Sequence, residues 1–323
     1  MKISAILPLK TKGRHYAENV ARCDILFSSL RHFTDPSLFD RILIVVPNDE
    51  LEAAQHYAKA WSDFPVKVMD ESVHFAMFRE FSAPHQIRPW HRQQIIKLAA
   101  AGLIDTEYFM VFDPDVFALR AFDEATLLPG GKALTHYQPR AREARYWEAS
   151  GTLLGQDPHL ERDAIWWTPA LLSATICRSL HHRLEEQHGE PWMRVLLSRY
   201  MVDWTEYTLY WLNAEREGLL DRFHTPPAPG MPELHADESV WFAGRDGHGL
   251  DRWDAAKHMG DEGKGLFAVV QSNTRISPQA VAAKLAPFMT IDLQPFDRHH
   301  SLPLKAMELY SAVTRRILRT LHR

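Results

Sequence analysis

Short apolar runs alternate with longer amphipathic segments through the first third of the chain. Ile3 to Leu9 reads as a strand that ends in the basic loop Lys10-Thr11-Lys12-Gly13-Arg14. An amphipathic segment from Ala17 to Leu30 follows and breaks at Asp35-Pro36. Arg41 to Val46 reads as a second strand. Pro47-Asn48-Asp49 then opens a helix carrying Leu51, Ala54, Tyr57, Ala58 and Trp61 at helical spacing. Val66 to Met69 is a short third strand, and Trp90 to Leu103 a helix with Gly102 near its end. Tyr108-Phe109-Met110-Val111-Phe112 is apolar or aromatic throughout, as in a strand covered on both faces. Strands separated by helices predict a parallel sheet with right-handed crossovers. Lys10, Asn48 and Asp113 are then expected along one carboxyl edge, where open α/β sheets bind ligands.

The second half reads as helix-rich. Lys132 to His136 is a candidate strand, and the polar stretch Gln138 to Gln156 reads as a loop. Thr168-Pro169 predicts a helix start, with the helix running through Leu171, Ile176 and Leu184 to Gly189. Trp192 to Tyr200 and Asp203 to Glu217 predict two further helices, the second presenting Asp203, Glu206, Tyr210 and Asn213 on one face. Thr225 to Pro232 holds four prolines and is a loop. Leu266 to Gln271 reads as a late strand, and Ser277-Pro278 opens a helix. Apolar residues from Leu304 to Leu321 alternate with Lys305, Arg315, Arg316, Arg319 and Arg323. That pattern fits a cationic amphipathic helix, either docked on the protein or lying on an anionic membrane surface.

Composition narrows the class. The 323 residues are 46% hydrophobic and 24% charged, which fits a globular protein. A net charge of −4 argues against a nucleic-acid binder with a basic surface. Two cysteines, Cys23 and Cys177, suit neither a disulfide framework nor a Cys-rich zinc site, so a cytoplasmic protein is expected. No apolar run reaches membrane-spanning length.

Asp113-Pro114-Asp115, at the end of the most apolar strand, is the main chemical feature. Two hard carboxylates one residue apart can hold Mg²⁺ or Mn²⁺, which in turn binds a diphosphate. The same residues also spell an ordinary turn. An Asp-x-Asp after an aromatic-rich strand, with an alternating first half and a helix-rich second, resembles the GT-A fold of nucleotide-sugar glycosyltransferases. Trp90-His91-Arg92-Gln93-Gln94-Ile95-Ile96-Lys97-Leu98, Thr205-Glu206-Tyr207-Thr208-Leu209-Tyr210 and Val270-Gln271-Ser272-Asn273 are similar to a group of bacterial GT-A-like proteins of unknown function or described as glycosyltransferases.

The resemblance implies an α/β, GT-A-like fold with a mostly parallel central sheet flanked by helices. It implies one domain over residues 1–300, with a nucleotide-binding half (1–117) and an acceptor and catalytic half (118–300), followed by the C-terminal helix (301–323). The donor would be a nucleotide-diphosphate sugar and the acceptor a carbohydrate or lipid-linked sugar, with peripheral membrane contact through 304–323. Asp113 and Asp115 would hold the metal with a late histidine, of which His235, His248 and His258 are candidates and His235 is the one assigned. Lys10, Lys12, Arg14, Gln93, Lys97 and Asp113 would face the donor. Glu206, with Asp203 near it, would serve catalysis as a carboxylate whose aromatic surroundings raise its pKa toward that of a base. The alternatives are a sugar nucleotidyltransferase and a non-catalytic nucleotide- or carbohydrate-binding protein on the same fold. The first loop lacks the glycine-rich run that the nucleotidyltransferase would use to grip a triphosphate.

Overall fold

The computed structural model describes residues 2–13, 16–81, 89–199, 202–236, 238–241 and 249–295. Arg14, His248 and the C-terminal segment 301–323 lie outside the described residues. The strands used below are β1 (Ile3–Pro8), β2 (Phe39–Val46), β3 (Val66–Asp70), β4 (Tyr108–Val111), β5 (Val116–Ala118), β6 (Ala170–Ser173), β7 (Glu233–His235) and β8 (Gly265–Val269). The helices are α1 (Asn19–Phe33), α2 (Leu51–Ala58), α3 (Pro89–Ala99), α4 (Ala144–Leu154), α5 (Ala174–His188), α6 (Trp192–Ser198), α7 (Glu206–Arg216) and α8 (Pro278–Leu285). No helix among the described residues is long and apolar enough to cross a membrane.

The fold is mixed α/β, with a mostly parallel central sheet flanked by helices. Its strand order is β3-β2-β1-β4-β6, parallel except for the last pair. β1 and β4 are buried at every position, as their unbroken apolar runs require. A second, three-stranded sheet is ordered β7-β8-β5, and the chain passes from the first sheet to the second through Phe112-Asp113-Pro114-Asp115. One core cluster fills the space around the central sheet. A smaller one, including Phe117, Trp253, Val270 and Leu285, lies against the second sheet.

Three expectations are corrected. The helix expected from Thr168 starts only at Ala174, because Ala170–Ser173 pairs antiparallel with β4, with Ala170 opposite Val111 and Ser173 opposite Tyr108. A short apolar run suits either state, and the open edge of β4 decides it. Ser173 then caps the helix, accepting from Ile176 N at 3.2 Å. The stretch 138–156, expected as a loop, contains α4. Its buried face is Trp147, Ser150, Gly151 and Leu154, which has helical spacing but two small members. Gly151 is required there, since a Cβ would stand 2.7 Å from the Gln156 carbonyl oxygen. Finally, α7 begins at Glu206 rather than Asp203. Thr205 and Thr208 form a reciprocal capping box, each side-chain oxygen accepting the other's backbone N–H at 3.1 Å, and this leaves Asp203 outside the helix.

Candidate functional site

The chain lays down β1, β2 and β3 in one direction and then returns to place β4 on the other side of β1. The crevice at the carboxyl ends of β1 and β4 is therefore the switch point of the sheet, where α/β folds bind ligands. Phe112 N donates to the Ile6 carbonyl at 2.9 Å, so Asp113 is the next residue out and stands at this crevice. Asp115 is fixed by the second sheet. Its carbonyl accepts from Val270 N at 3.1 Å and its Oδ2 from Ser272 N at 2.7 Å. The Asp-Pro-Asp link is thus held at both ends by sheet hydrogen bonds.

Helices α3 and α7 close over Asp113. Lys97 Nζ lies 2.9 Å from Asp113 Oδ1 and 3.1 Å from Glu206 Oε1. The Lys97 and Glu206 side chains are 3% and 2% exposed, and Asp113 is 29% exposed. One helical turn before Lys97, Gln94 Oε1 accepts from Glu206 N at 3.1 Å. That bond satisfies a first-turn donor of α7, where a carboxylate is also favoured by the helix dipole. Gln94, not the expected Gln93, is thus the glutamine joined to this cluster, and Gln93 is half-buried beside it.

The Lys97 ammonium here faces two carboxylates, Asp113 and Glu206, and Arg22 of α1 acts on the third, Asp115. Burial, then Asp113, pushes Asp115 up to about 6, against the pull of Ser272 N–H and Arg22. Burial raises Glu206 as well, with Lys97 opposing and Asp113 adding to the rise. Burial acts to lower Lys97, but Asp113 and Glu206 more than offset it and keep it an ammonium.

The donor chemistry of these residues suits a divalent cation. Asp113 and Asp115 are hard oxygen donors on a rigid link. Asp113 Oδ1 is buried with no hydrogen-bond partner, although Lys97 is close. Mg²⁺-type sites need only one or two carboxylates, the rest being substrate phosphate and water, so the pair fits. His235 does not belong to the set. It pairs with Phe267, which faces Ala118, about 10 Å along the strand from Asp115. Its ring packs 5.1 Å from His136 and 5.7 Å from Trp167, and burial with His136 beside it brings its pKa down to about 3. His258 stacks on Trp253 instead. Among the described residues no three His, Cys, Asp or Glu side chains come together to hold a metal.

The first loop is organised inward. Buried Glu50 accepts from Thr11 N, from Thr11 Oγ1 at 2.8 Å and from Lys12 N at 3.1 Å, so these donors are engaged by a carboxylate of the chain itself. Lys12 Nζ turns away to Asp49, 3.4 Å from its Oδ2. Lys10 remains at the end of β1, with its ammonium 4.7 Å from the centre of the Tyr16 ring. Asp203 is half-buried on the segment entering α7. Tyr210 and Asn213, expected beside Glu206, instead bond His224 Nε2 at 2.7 Å and Ser179 Oγ at 3.2 Å. Sequence reading missed Glu50 and Arg22, which carry no local signal. It also missed the individual roles of Gln94 and Ser272, although both lie inside the stretches quoted for the resemblance.

A sequence comparison with curated proteins gave no match. Among solved structures, the chain is similar to mouse xyloside xylosyltransferase 1 in its apo form. That likeness has 14% identity and a TM-score of 0.49, over 84% of this chain and 99% of that one. It is also similar to core-mannan synthase A from Aspergillus fumigatus in an Mn/GDP form, at 9% identity and a TM-score of 0.43, over 66% of this chain and 70% of that one. A third is the mannosyltransferase Ktr4p from S. cerevisiae, at 12% identity and a TM-score of 0.34, over 66% of this chain and 65% of that one. A family model matches residues 1–293, and the chain accordingly belongs to DUF6492, a family of unknown function.

Proposed function

We propose that this protein is a glycosyltransferase that takes its sugar from a nucleotide-diphosphate sugar with the help of Mg²⁺ or Mn²⁺. The observation that carries it is the charge arrangement at the switch point. Asp113 and Asp115 sit there with a third carboxylate, Glu206, and a single buried ammonium between Asp113 and Glu206. Such a centre attracts a divalent cation, and the crevice beside it suits a nucleotide. A nucleotidyltransferase is disfavoured because the first loop spends its N–H donors on Glu50 rather than on a triphosphate.

In the transfer, the bond from the anomeric carbon to the diphosphate oxygen breaks and its electron pair leaves with the diphosphate. A bond to the acceptor oxygen forms as its O–H bond breaks, and the proton passes to solvent water. Asp113 and Asp115 would hold the divalent cation, whose contribution would be to neutralise the diphosphate charge. Lys97 keeps Asp113 in place, and Glu206, with no open path to an acceptor, keeps Lys97 in place. Glu206 is therefore a positioning residue. Lys10 borders the donor side, and Asp203, better exposed, borders the acceptor side.

Calorimetric titration with uridine and guanosine diphosphates, in Mn²⁺ and then in excess chelator, tests the proposal. Binding is expected to need Mn²⁺ and to lose its metal-dependent part in Asp115→Asn. Equal affinity in chelator, or in the variant, sinks the metal assignment.

A further inference from the structure

Six of the ten tryptophans, Trp61, Trp147, Trp192, Trp204, Trp211 and Trp253, are buried. The other four, Trp90, Trp166, Trp167 and Trp241, are half-buried, and ring contacts gather them into two groups that meet in sequence at Trp166 and Trp167, taken together as one row. Trp90 lies 5.8 Å from Tyr146, Tyr146 lies 5.0 Å from Trp166, and Trp167, the next residue, lies 4.9 Å from Trp241. The row borders the carboxylate centre. Trp90 starts the helix that carries Lys97. Thr168, just after Trp167, bonds the Tyr207 hydroxyl at 2.7 Å, and the Tyr207 ring centre is 5.9 Å from Lys97 Nζ.

From this row we infer an acceptor site for an oligosaccharide, an inference that rests on the glycosyltransferase reading and names its acceptor class. Large aromatic faces left partly wet are costly, and gathered exposed apolar surface marks a binding site more often than chance packing. The row is aromatic and has a charged rim. The Arg145 guanidinium lies 4.3 Å over the Tyr146 ring, and Asp203 acts on the same hydroxyl with the opposite charge. Flat rings bind the C–H faces of pyranoses, while a guanidinium and a carboxylate bind their hydroxyls. A lipid chain has no use for those charges. Three rings on one side of the Trp166-Trp167 peptide and two on the other offer more than one stacking place, which suits a chain of sugars rather than a single one.

Saturation-transfer NMR on the full chain with maltotetraose, cellotetraose, mannotetraose and chitotetraose tests this, alongside the Mn²⁺-dependent diphosphate titration as fold control. At least one tetrasaccharide is expected to bind the wild-type protein and to bind about tenfold more weakly to Trp166→Ala, with diphosphate affinity unchanged. Should that variant fail to fold, Tyr146→Ala replaces it, and Trp166→Phe is expected to retain binding. If none of the four binds, or binding is insensitive to these changes, the aromatic site is overturned. If a tetrasaccharide binds in a Trp166-dependent way while no diphosphate binds, the donor reading falls and the aromatic site stands.

Discussion

Two largely buried ionic clusters in this molecule use cations and carboxylates to opposite ends. At one, Arg140 (1% exposed) grips Glu215 through both terminal nitrogens at 3.2 and 3.1 Å. It also donates to the Pro158 carbonyl at 2.7 Å and lies over the Trp147 ring, and Arg162 adds a bond to Glu215 at 2.7 Å. Two cations serve one carboxylate. Burial would raise Glu215, but the hydrogen bonds from Arg140 and Arg162 more than offset it and leave its pKa lowered. At the other, three carboxylates have two cations, Lys97 for Asp113 and Glu206 and Arg22 for Asp115, and the carboxyl pKa values of Asp115 and Glu206 are raised, chiefly by burial. The first cluster is complete and braces α7 to the segment before α4. The second is short of positive charge, which is what a site for a divalent cation requires. Counting buried ion pairs would treat them alike; counting their charges separates them.

The largest effect that sharpens this contrast is the loss of the brace. Arg140→Met should cost about 3–5 kcal/mol in urea unfolding, the usual penalty for stranding a buried carboxylate. A loss below about 1 kcal/mol would mean that Arg162 alone suffices and the brace is not what it looks like.

Removing a carboxylate should have opposite signs at the two places. Glu215→Gln is expected to destabilise the protein. Asp115→Asn keeps an acceptor for Ser272 N–H but removes repulsion, and should stabilise the metal-free protein at pH 7 by about 1 kcal/mol after allowance for solvent screening. Glu206→Gln should change stability by less than about 1 kcal/mol yet lower turnover about 100-fold by loosening Lys97. Equal losses of stability from Asp115→Asn and Glu215→Gln would erase the distinction.

The smallest effect is a pH dependence with two signs. Asp115, with a folded pKa of about 6 against about 3.9 unfolded, contributes stability that is full below about pH 4 and lost as pH rises through 6. Glu215, with a lowered folded pKa, contributes stability present above about pH 4.3 and lost as pH falls through its folded value. Unfolding free energies at pH 7, 5 and 4 should show the advantage of Asp115→Asn over wild type vanishing on acidification. The deficit of Glu215→Gln should shrink only near pH 4 and below. The buried neutral histidines His181, His224 and His235, each pushed down to about 3 chiefly by burial, are common to all three proteins and cancel in the differences.

The order of strands and helices in the first half, and the position of Asp113 at a carboxyl edge, followed from apolar runs that belong to strands buried on both faces. Such runs carry their own signal when turn residues and helical segments bound them, because a covered sheet strand is apolar on both faces. The Asp-x-Asp link was legible as two carboxylates at the end of one such run, and Lys97 only as a cation spaced four residues from Gln93 on a helix. What the chain alone did not determine depended on partners distant in sequence. Ala170–Ser173 is a strand because β4 has an open edge, and Asp203 stands outside α7 because Thr205 and Thr208 cap each other. His235 lies about 10 Å along the strand from Asp115 because of the register of β7 on β8, a quantity that no local pattern encodes. Glu206 is a buried counter-ion rather than an open base because α3 packs on α7 and brings Lys97 to it across more than a hundred residues of chain. Periodicity reports whether a side chain faces inward; only the packing of elements decides which charge it meets there.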